Sequence, residues 1–150
     1  MTTPVKISEA ASIALHACLW LSRDPGAFHP VREICAALDC SHAHMSKVMQ
    51  DLCRARLIES QRGPAGGVRL ANPPQQTTLL AVYEAVEGAI RTDSACLLLT
   101  SICPGRNCFL GKAIAHLNSQ FIALLTDTVL TDINLPIQKG EAHEEKHHHH

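Results

Sequence analysis

Aromatic residues are nearly absent from this chain: 3% of 150 residues, with one Trp, one Tyr and three Phe. A core without large rings must be filled by Ala, Leu, Ile and Val, which argues against an aromatic-rich sandwich or barrel and for helices. No apolar run approaches the roughly 20 residues that span a bilayer. No basic-then-apolar leader opens the chain, so a cytoplasmic protein without a membrane partner is expected. Also missing are a Cys-x-x-Cys redox pair, a phosphate-cradling glycine loop and a nucleophile with an identifiable base, so an enzyme is not expected. Charged residues reach only 18%, but hydrophobic residues make up 46%, too many for a disordered chain. Residues 147–150 are all histidine and read as the remnant of a purification tag.

The net charge of −1 is unevenly spread. Residues 1–72 hold eight Lys/Arg against six Asp/Glu, whereas residues 73–150 hold five against eight. Within 41–72, Lys47, Arg54, Arg56, Arg62 and Arg69 face only Asp51 and Glu59. A local basic stretch in a near-neutral protein has the form of a small nucleic-acid footprint, although a solvated helix face has it too.

The pattern is mainly helical. Residues 7–22 are free of Gly and Pro and apolar nearly all round, which predicts a largely buried helix. DPGAFHP (24–30) interrupts it, and Pro30 suits the first turn of a second helix over 31–38, with Val31, Ile34 and Leu38 on one face. Asp39-Cys40-Ser41 is a turn, and Ser41 is a good N-cap. A third helix over 42–55 buries Met45, Val48, Met49 and Leu52. Leu57–Ser60 and Val68–Ala71 read as short strands joined by QRGPAGG, whose glycines and proline suit a hairpin tip. Two helices across a short turn, followed by a hairpin, predict a winged helix-turn-helix. Residues 78–90 form another helix with Leu79, Val82, Tyr83 and Val86 as its buried stripe. A last helix over 108–130 repeats Leu110, Ile114, Leu117, Phe121, Leu124 and Thr128 at alternating four and three spacing, a coiled-coil-like seam. At 1.5 Å per residue it should exceed ~30 Å, more than one small domain can cover, so pairing with a second subunit is expected. The expected organisation is a winged helix-turn-helix domain over 5–90, a cysteine-bearing loop over 91–107, a dimerisation helix over 108–132 and a tail over 133–150.

Seven cysteines are an odd number for a disulfide framework. In a reducing compartment, clustered cysteines point first to metal or redox chemistry. Cys96, Cys103 and Cys108 follow a Cys-x6-Cys-x4-Cys spacing beside Pro104, Gly105, Arg106 and Asn107. Thiolates on a pliable loop can converge on an iron–sulfur cluster, and the spacing is not that of common zinc fingers. A fourth ligand would come from His116, a partner subunit or solvent. Cys18, Cys35 and Cys53 read as small core residues, Cys40 as an exposed, oxidisable thiol, and His16 as a satisfied helical histidine.

The third helix is the expected reader of double-stranded DNA, its N-terminal residues at base edges in the major groove. His42, His44, Ser46, Lys47 and Gln50 are the side chains placed to reach. Gln can bond adenine through two atoms, and Ser reads either base type. Arg62 at the wing tip suits a narrow, electronegative minor groove. Ser41, Gly63 and Gly66 complete the expected surface, while Arg54, Arg56 and Arg69 are expected on phosphates or carboxylates.

Five segments together resemble a known family: VKISEAASIALHACLWL, SHAHMSKVMQDLCRARLIES, RGPAGGVRLA, TLLAVYEAVEG and the three-cysteine loop before the long helix. They cover about residues 5–132 and are similar to the IscR/NsrR superfamily of bacterial iron–sulfur transcriptional regulators. The resemblance implies a homodimer on a partly palindromic operator. It also implies a cluster on Cys96, Cys103 and Cys108, [2Fe–2S] in preference to [4Fe–4S], whose loss, oxidation or nitrosylation changes DNA affinity. Some relatives place a histidine three residues after the last cysteine, where this chain has Gly111. Others use an acidic residue on the partner's first helix, where this chain has Ser12, with Glu9 one turn earlier. The implied function is a repressor sensing redox state, nitric oxide or iron–sulfur supply. The alternative is a cluster-free regulator with the same cysteines as a thiol/disulfide switch.

Overall fold

The computed structural model describes residues 7–90 and 108–134. Along them run helices α1 (Glu9–Leu21), α2 (Val31–Leu38) and α3 (His42–Arg54), strands β1 (Ile58–Gln61) and β2 (Gly67–Leu70), and helices α4 (Leu79–Glu87) and α5 (Phe109–Asp127). The fold is mainly α with one small antiparallel ribbon, the winged helix-turn-helix expected from the pattern.

Helix α1 lies in the middle of the packing. Ser8 caps it by accepting from the Ala11 N–H, which satisfies one otherwise unpaired donor. Ala11, Ala14, Ala17, Cys18 and Leu21 are fully buried, and α4, α3, α2 and β2 all pack against this helix. Small side chains on several faces let the surrounding elements approach closely, as a core poor in aromatics requires. Ile34, Met45, Leu52 and Val82 fill the remaining centre.

The helix ends on either side of α3 use left-handed residues. Asp39 ends α2 at φ 48 and Arg56 follows α3 at φ 58. After Arg56 the Leu57 N–H returns to the Leu52 carbonyl at 3.0 Å, so Leu57 closes the helix and β1 starts one residue later than the pattern suggested. Pro30 also differs from expectation: it is the N-cap of α2, at φ −58 and ψ 137, not a first-turn residue. Strands β1 and β2 pair from Ile58↔Leu70 to Gln61↔Gly67. His29 adds a bridge on the other side of β2, exchanging bonds of 2.9 and 2.8 Å with Val68. The wing is thus anchored to the segment that leads into α2, a pairing the local pattern did not signal.

Helix α4 buries Leu79 and Val82, but Tyr83 and Val86 are only half-buried. Tyr83 meets α5 instead, its ring edge-on to Phe121 with centroids 5.6 Å apart. Helix α5 is shorter than expected, 19 residues or about 28 Å. Thr128 leaves the helical seam because the chain turns extended there and pairs with the start of α4. Leu79 N–H donates to the Thr128 carbonyl at 2.9 Å, and Leu130 N–H donates to the Thr77 carbonyl at 3.0 Å. Leu130 is fully buried. The segment 128–133 is a strap that fastens the end of α5 onto the winged helix. Among the described residues no helix is long and apolar enough to cross a membrane.

The strap gives a direct test. Leu130→Ala should cost about 2–4 kcal/mol of unfolding free energy, since a fully enclosed Leu leaves a cavity on truncation; urea unfolding followed by circular dichroism measures it.

Candidate nucleic-acid interface

Helix α3, the expected reader, is capped by Ser41, whose hydroxyl accepts from the His44 N–H at 3.2 Å. Met45, Val48, Met49 and Leu52 face the core as expected. His42, His44, Lys47 and Gln50 are exposed, and Ser46 is half-buried. The outward side chains divide into held and free. His42 Nδ1 and Ser46 Oγ lie 3.2 Å apart, one turn from each other. His44 Nδ1 lies 3.2 Å from Glu9 Oε1, so the first turn of α1 holds an outward side chain of α3. Glu9, Ala10, Ile13, His44, Lys47, Val48, Asp51 and Val86 line a groove of about 340 Å³ between α1 and α3.

The cations divide in the same way. Arg54 pairs with Asp51 at 2.8 Å. Arg69 bonds Glu59 through Nε and Nη2 at 3.2 and 3.1 Å and lies 4.4 Å above the Phe28 ring. Both were expected on phosphates or carboxylates, and both rest on carboxylates. Among the described residues, Arg32, Lys47, Arg56 and Arg62 have no carboxylate at ion-pair distance. Arg32, exposed in the first turn of α2, is a cation the sequence reading did not single out. Its signal was its place: the first helix of this motif crosses the DNA backbone.

The wing tip depends on its glycines for different reasons. Gly63 sits at φ 108 in open space. A Cβ on Gly66 would strike the Gln61 carbonyl, and one on Gly67, at φ 146, would strike the carbonyl of His29. Gly66 and Gly67 are therefore demanded by the hairpin and its bridge to His29. Arg62 is exposed beside them.

Of the cysteine trio, Cys96 and Cys103 lie outside the described residues. Cys108 is the N-cap of α5, half-buried, its sulfur accepting from the Gly111 N–H at 3.4 Å. A helix N-terminus with an N–H aimed at sulfur suits a thiolate ligand, whose negative charge it partly offsets. His116 is exposed and stands eight residues up the same helix, about 12 Å along its axis. Ser12 is half-buried on α1, its carbonyl 2.7 Å from His16 Nδ1, which satisfies His16 as expected. Among the described residues no three Cys, His, Asp or Glu side chains gather as a metal site. Of the cysteines read as core, only Cys18 is buried; Cys35 and Cys53 are half-buried, because α2 and the outer side of α3 lie at the edge of a small domain. Burial pushes the Cys18 thiol up to about 12. It also raises that of Cys53, against a hydrogen bond with Ser60 that lowers it.

Two helices across a short turn, a hairpin wing braced from behind, and unpaired cations on both define a winged helix-turn-helix DNA-binding protein. The Rrf2 family, described as iron-dependent transcriptional regulators, matches residues 7–134, and the chain belongs to that family. It is 30% identical over 131 residues to a Bacillus subtilis protein named as an HTH-type transcriptional regulator, YwgB, spanning 86% of this chain and 84% of that one. It is 38% identical over 84 residues to BadM of Rhodopseudomonas palustris, also named as an HTH-type regulator. That match spans 56% of this chain and about half of BadM, 54%. Two solved structures share the fold. CymR of B. subtilis aligns with a TM-score of 0.72 at 20% identity, over 85% of this chain and 95% of that one. IscR of T. potens aligns with 0.70 at 18% identity, over 86% and 85%. The family is one of transcriptional regulators, not of enzymes.

The wing's bracing predicts that Gly67→Ala destabilises the chain by more than about 1 kcal/mol, since the new methyl meets a backbone carbonyl at a positive φ. Thermal unfolding reads the loss, and hydrogen exchange at the Val68 amide should accelerate with it.

Proposed function

We propose that this chain is a cytoplasmic, homodimeric repressor whose operator affinity is set by an iron–sulfur cluster on Cys96, Cys103 and Cys108, [2Fe–2S] in preference to [4Fe–4S]. The observation that supports the cluster reading best is Cys108 itself, a sulfur held at the N-terminus of α5 with the Gly111 N–H directed at it. When bound, the cluster supplies a centre that responds to oxidants, nitric oxide and iron–sulfur supply. Ser12, Glu9 and His116 remain the candidates for a fourth ligand.

The chain's own residues supply a route from that loop to the reader. At the loop's upstream base the Ile90 N–H donates to Glu84 Oε1 at 3.1 Å, and Ser8 Oγ bonds Glu87. The next residue after Ser8 is Glu9, which holds His44 on α3. A change in the loop's position is thereby passed to the first turn of α1 and on to the reader. On DNA, Ser41, His42, His44, Ser46, Lys47 and Gln50 face the major groove. Arg62, just before Gly63 and the turn at Gly66, enters the minor groove, and Arg32 and Arg56 meet phosphates.

A second copy of the chain fits the outer face of α5. Leu110, Leu117 and Leu124 are 57%, 57% and 62% exposed and follow each other at seven-residue intervals, beside Phe109 at 81%. Phe121 and Leu125 turn the other way, toward the chain's own domain. An exposed heptad row on an otherwise anchored helix is suited to pairing with its own copy.

Anaerobic purification with iron and sulfide counts tests the cluster. A brown, iron-loaded protein is expected. A colourless, iron-free one removes the cluster and leaves the thiol/disulfide switch. The reader is tested on duplexes selected from a random pool. Gln50→Ala and Arg62→Ala should each cost about 1–3 kcal/mol on the selected duplex, whereas Arg32→Ala should weaken all duplexes alike and lower the salt slope by about 1. Leu117→Glu should turn a dimer into a monomer in sedimentation experiments while leaving the helical content intact; an unchanged dimer overturns the assignment of that face.

A further inference from the structure

Two thiols outside the cysteine loop stand at the turn that aims the reader. Cys35 lies near the end of α2, and Cys40 is the second residue beyond it. The Cys35 carbonyl accepts from the Asp39 N–H and from the Cys40 N–H, the latter at 3.2 Å, with Asp39 left-handed between them at φ 48. This six-to-one closure sets the side chains at its two ends against each other. Cys35 is close enough to Cys40 to raise its thiol, and both residues are half-buried. Two α-carbons flanking one backbone hydrogen bond lie within the span a disulfide can bridge. Cys18, by contrast, is sealed in the core.

We infer that Cys35 and Cys40 are a dithiol switch that closes to an intrachain disulfide under a hydroperoxide and, in closing, displaces the reader helix. The DNA half of this inference rests on α3 being the reader proposed above; the disulfide half does not. Burial, and then the neighbouring Cys35, push the Cys40 thiol up, which disfavours its thiolate, and the oxidation runs with Cys35 as the attacking thiol. The Cys35 sulfur attacks one peroxide oxygen: an S–O bond forms, the O–O bond breaks, and the other oxygen leaves as water or alcohol with the Cys35 proton. The Cys40 sulfur then attacks the Cys35 sulfenic acid: the S–S bond forms, the S–O bond breaks, and water leaves with the Cys40 proton. The two thiols together give two electrons to the peroxide. A bond of about 2.05 Å then ties the two ends of the turn together and tightens it. The residue after Cys40 is Ser41, the N-cap of α3, so the start of the reader moves with it.

The test uses the full chain, alone and with Cys96, Cys103 and Cys108 all replaced by Ser, reduced and then treated with hydrogen peroxide. Tryptic peptide 33–47 contains both cysteines of the turn and should become two hydrogens lighter and refuse alkylation. Operator affinity on the selected duplex should fall about tenfold or more and recover with dithiothreitol. In the background lacking Cys96, Cys103 and Cys108, Cys35→Ser and Cys40→Ser should bind normally when reduced and stay bound after peroxide. A peptide 33–47 that remains open to alkylation overturns the switch. A disulfide that forms without loss of affinity overturns its link to DNA. A reduced chain that selects no duplex overturns the reader assignment instead, and the peptide mass still decides the dithiol.

Discussion

Everything in this fold leans on the burial of α1. A helix enclosed on most sides has to be thin, and Ala11, Ala14 and Ala17 make it so. Their short side chains let α3 and α4 approach from different directions, and the reader takes its orientation from that contact. Enclosure of this kind leaves little slack, because close-packed interiors shift between discrete arrangements instead of deforming smoothly. A helix at the centre of such packing is also well placed to relay a displacement. Its first turn contacts the last turn of α4 through Ser8 and Glu87 and the reader through Glu9 and His44.

Helix α5 is attached at one end and open along one side. The strap after it shares two backbone bonds with residues 77–79 and buries Leu130, and Tyr83 against Phe121 adds an edge-to-face ring contact. These fix the C-terminal half of the helix to the winged domain. Its N-terminal half, with Cys108 at the cap, has its largest side chains in solvent. The division follows from residue choice: Phe121 and Leu125 sit on the inner side, and leucines seven apart sit on the outer one.

Much of this was legible in the chain because the signals were local. The bounds of α2 fall where Pro30 and Asp39 put them, and α3 begins at its Ser41 cap. The polar face of the reader showed as the complement of its buried stripe. What escaped was non-local. His29 bridging Val68, the strap returning to residues 77–79 and Glu9 reaching His44 join residues 35 or more positions apart, and no short window of sequence records them. The premature start assigned to β1 has a different cause. Arg56 adopts a left-handed conformation with no glycine to announce it, and the helix closure it permits consumed the residue that looked like a strand. The half-exposure of Cys35 and Cys53 escaped for a third reason. Helical periodicity tells which side of a helix is apolar, not how much protein lies beyond it.

The charge balance explains why dimerisation and operator binding belong together on the proposed reading. Each described subunit offers four cations without a carboxylate partner near the reader and wing, since Arg54 and Arg69 are spent on Asp51 and Glu59. Each phosphate neutralised contributes about 0.9 to the salt slope of binding, so one subunit gains only a modest, readily screened attraction. The whole chain, at −1, adds no broad attractive field. Two subunits clamped by α5 double the phosphate contacts and convert the second half-site into an intramolecular event, whose gain depends on the geometry that α5 sets. In such a dimer a small change at the N-terminal end of α5, where Cys108 sits, would act on the spacing of two readers at once. Such a protein does not need a large rearrangement to let go of its operator: misplacing one reader relative to the other removes the advantage of the pair, and the few phosphate contacts that remain are too weak to hold it.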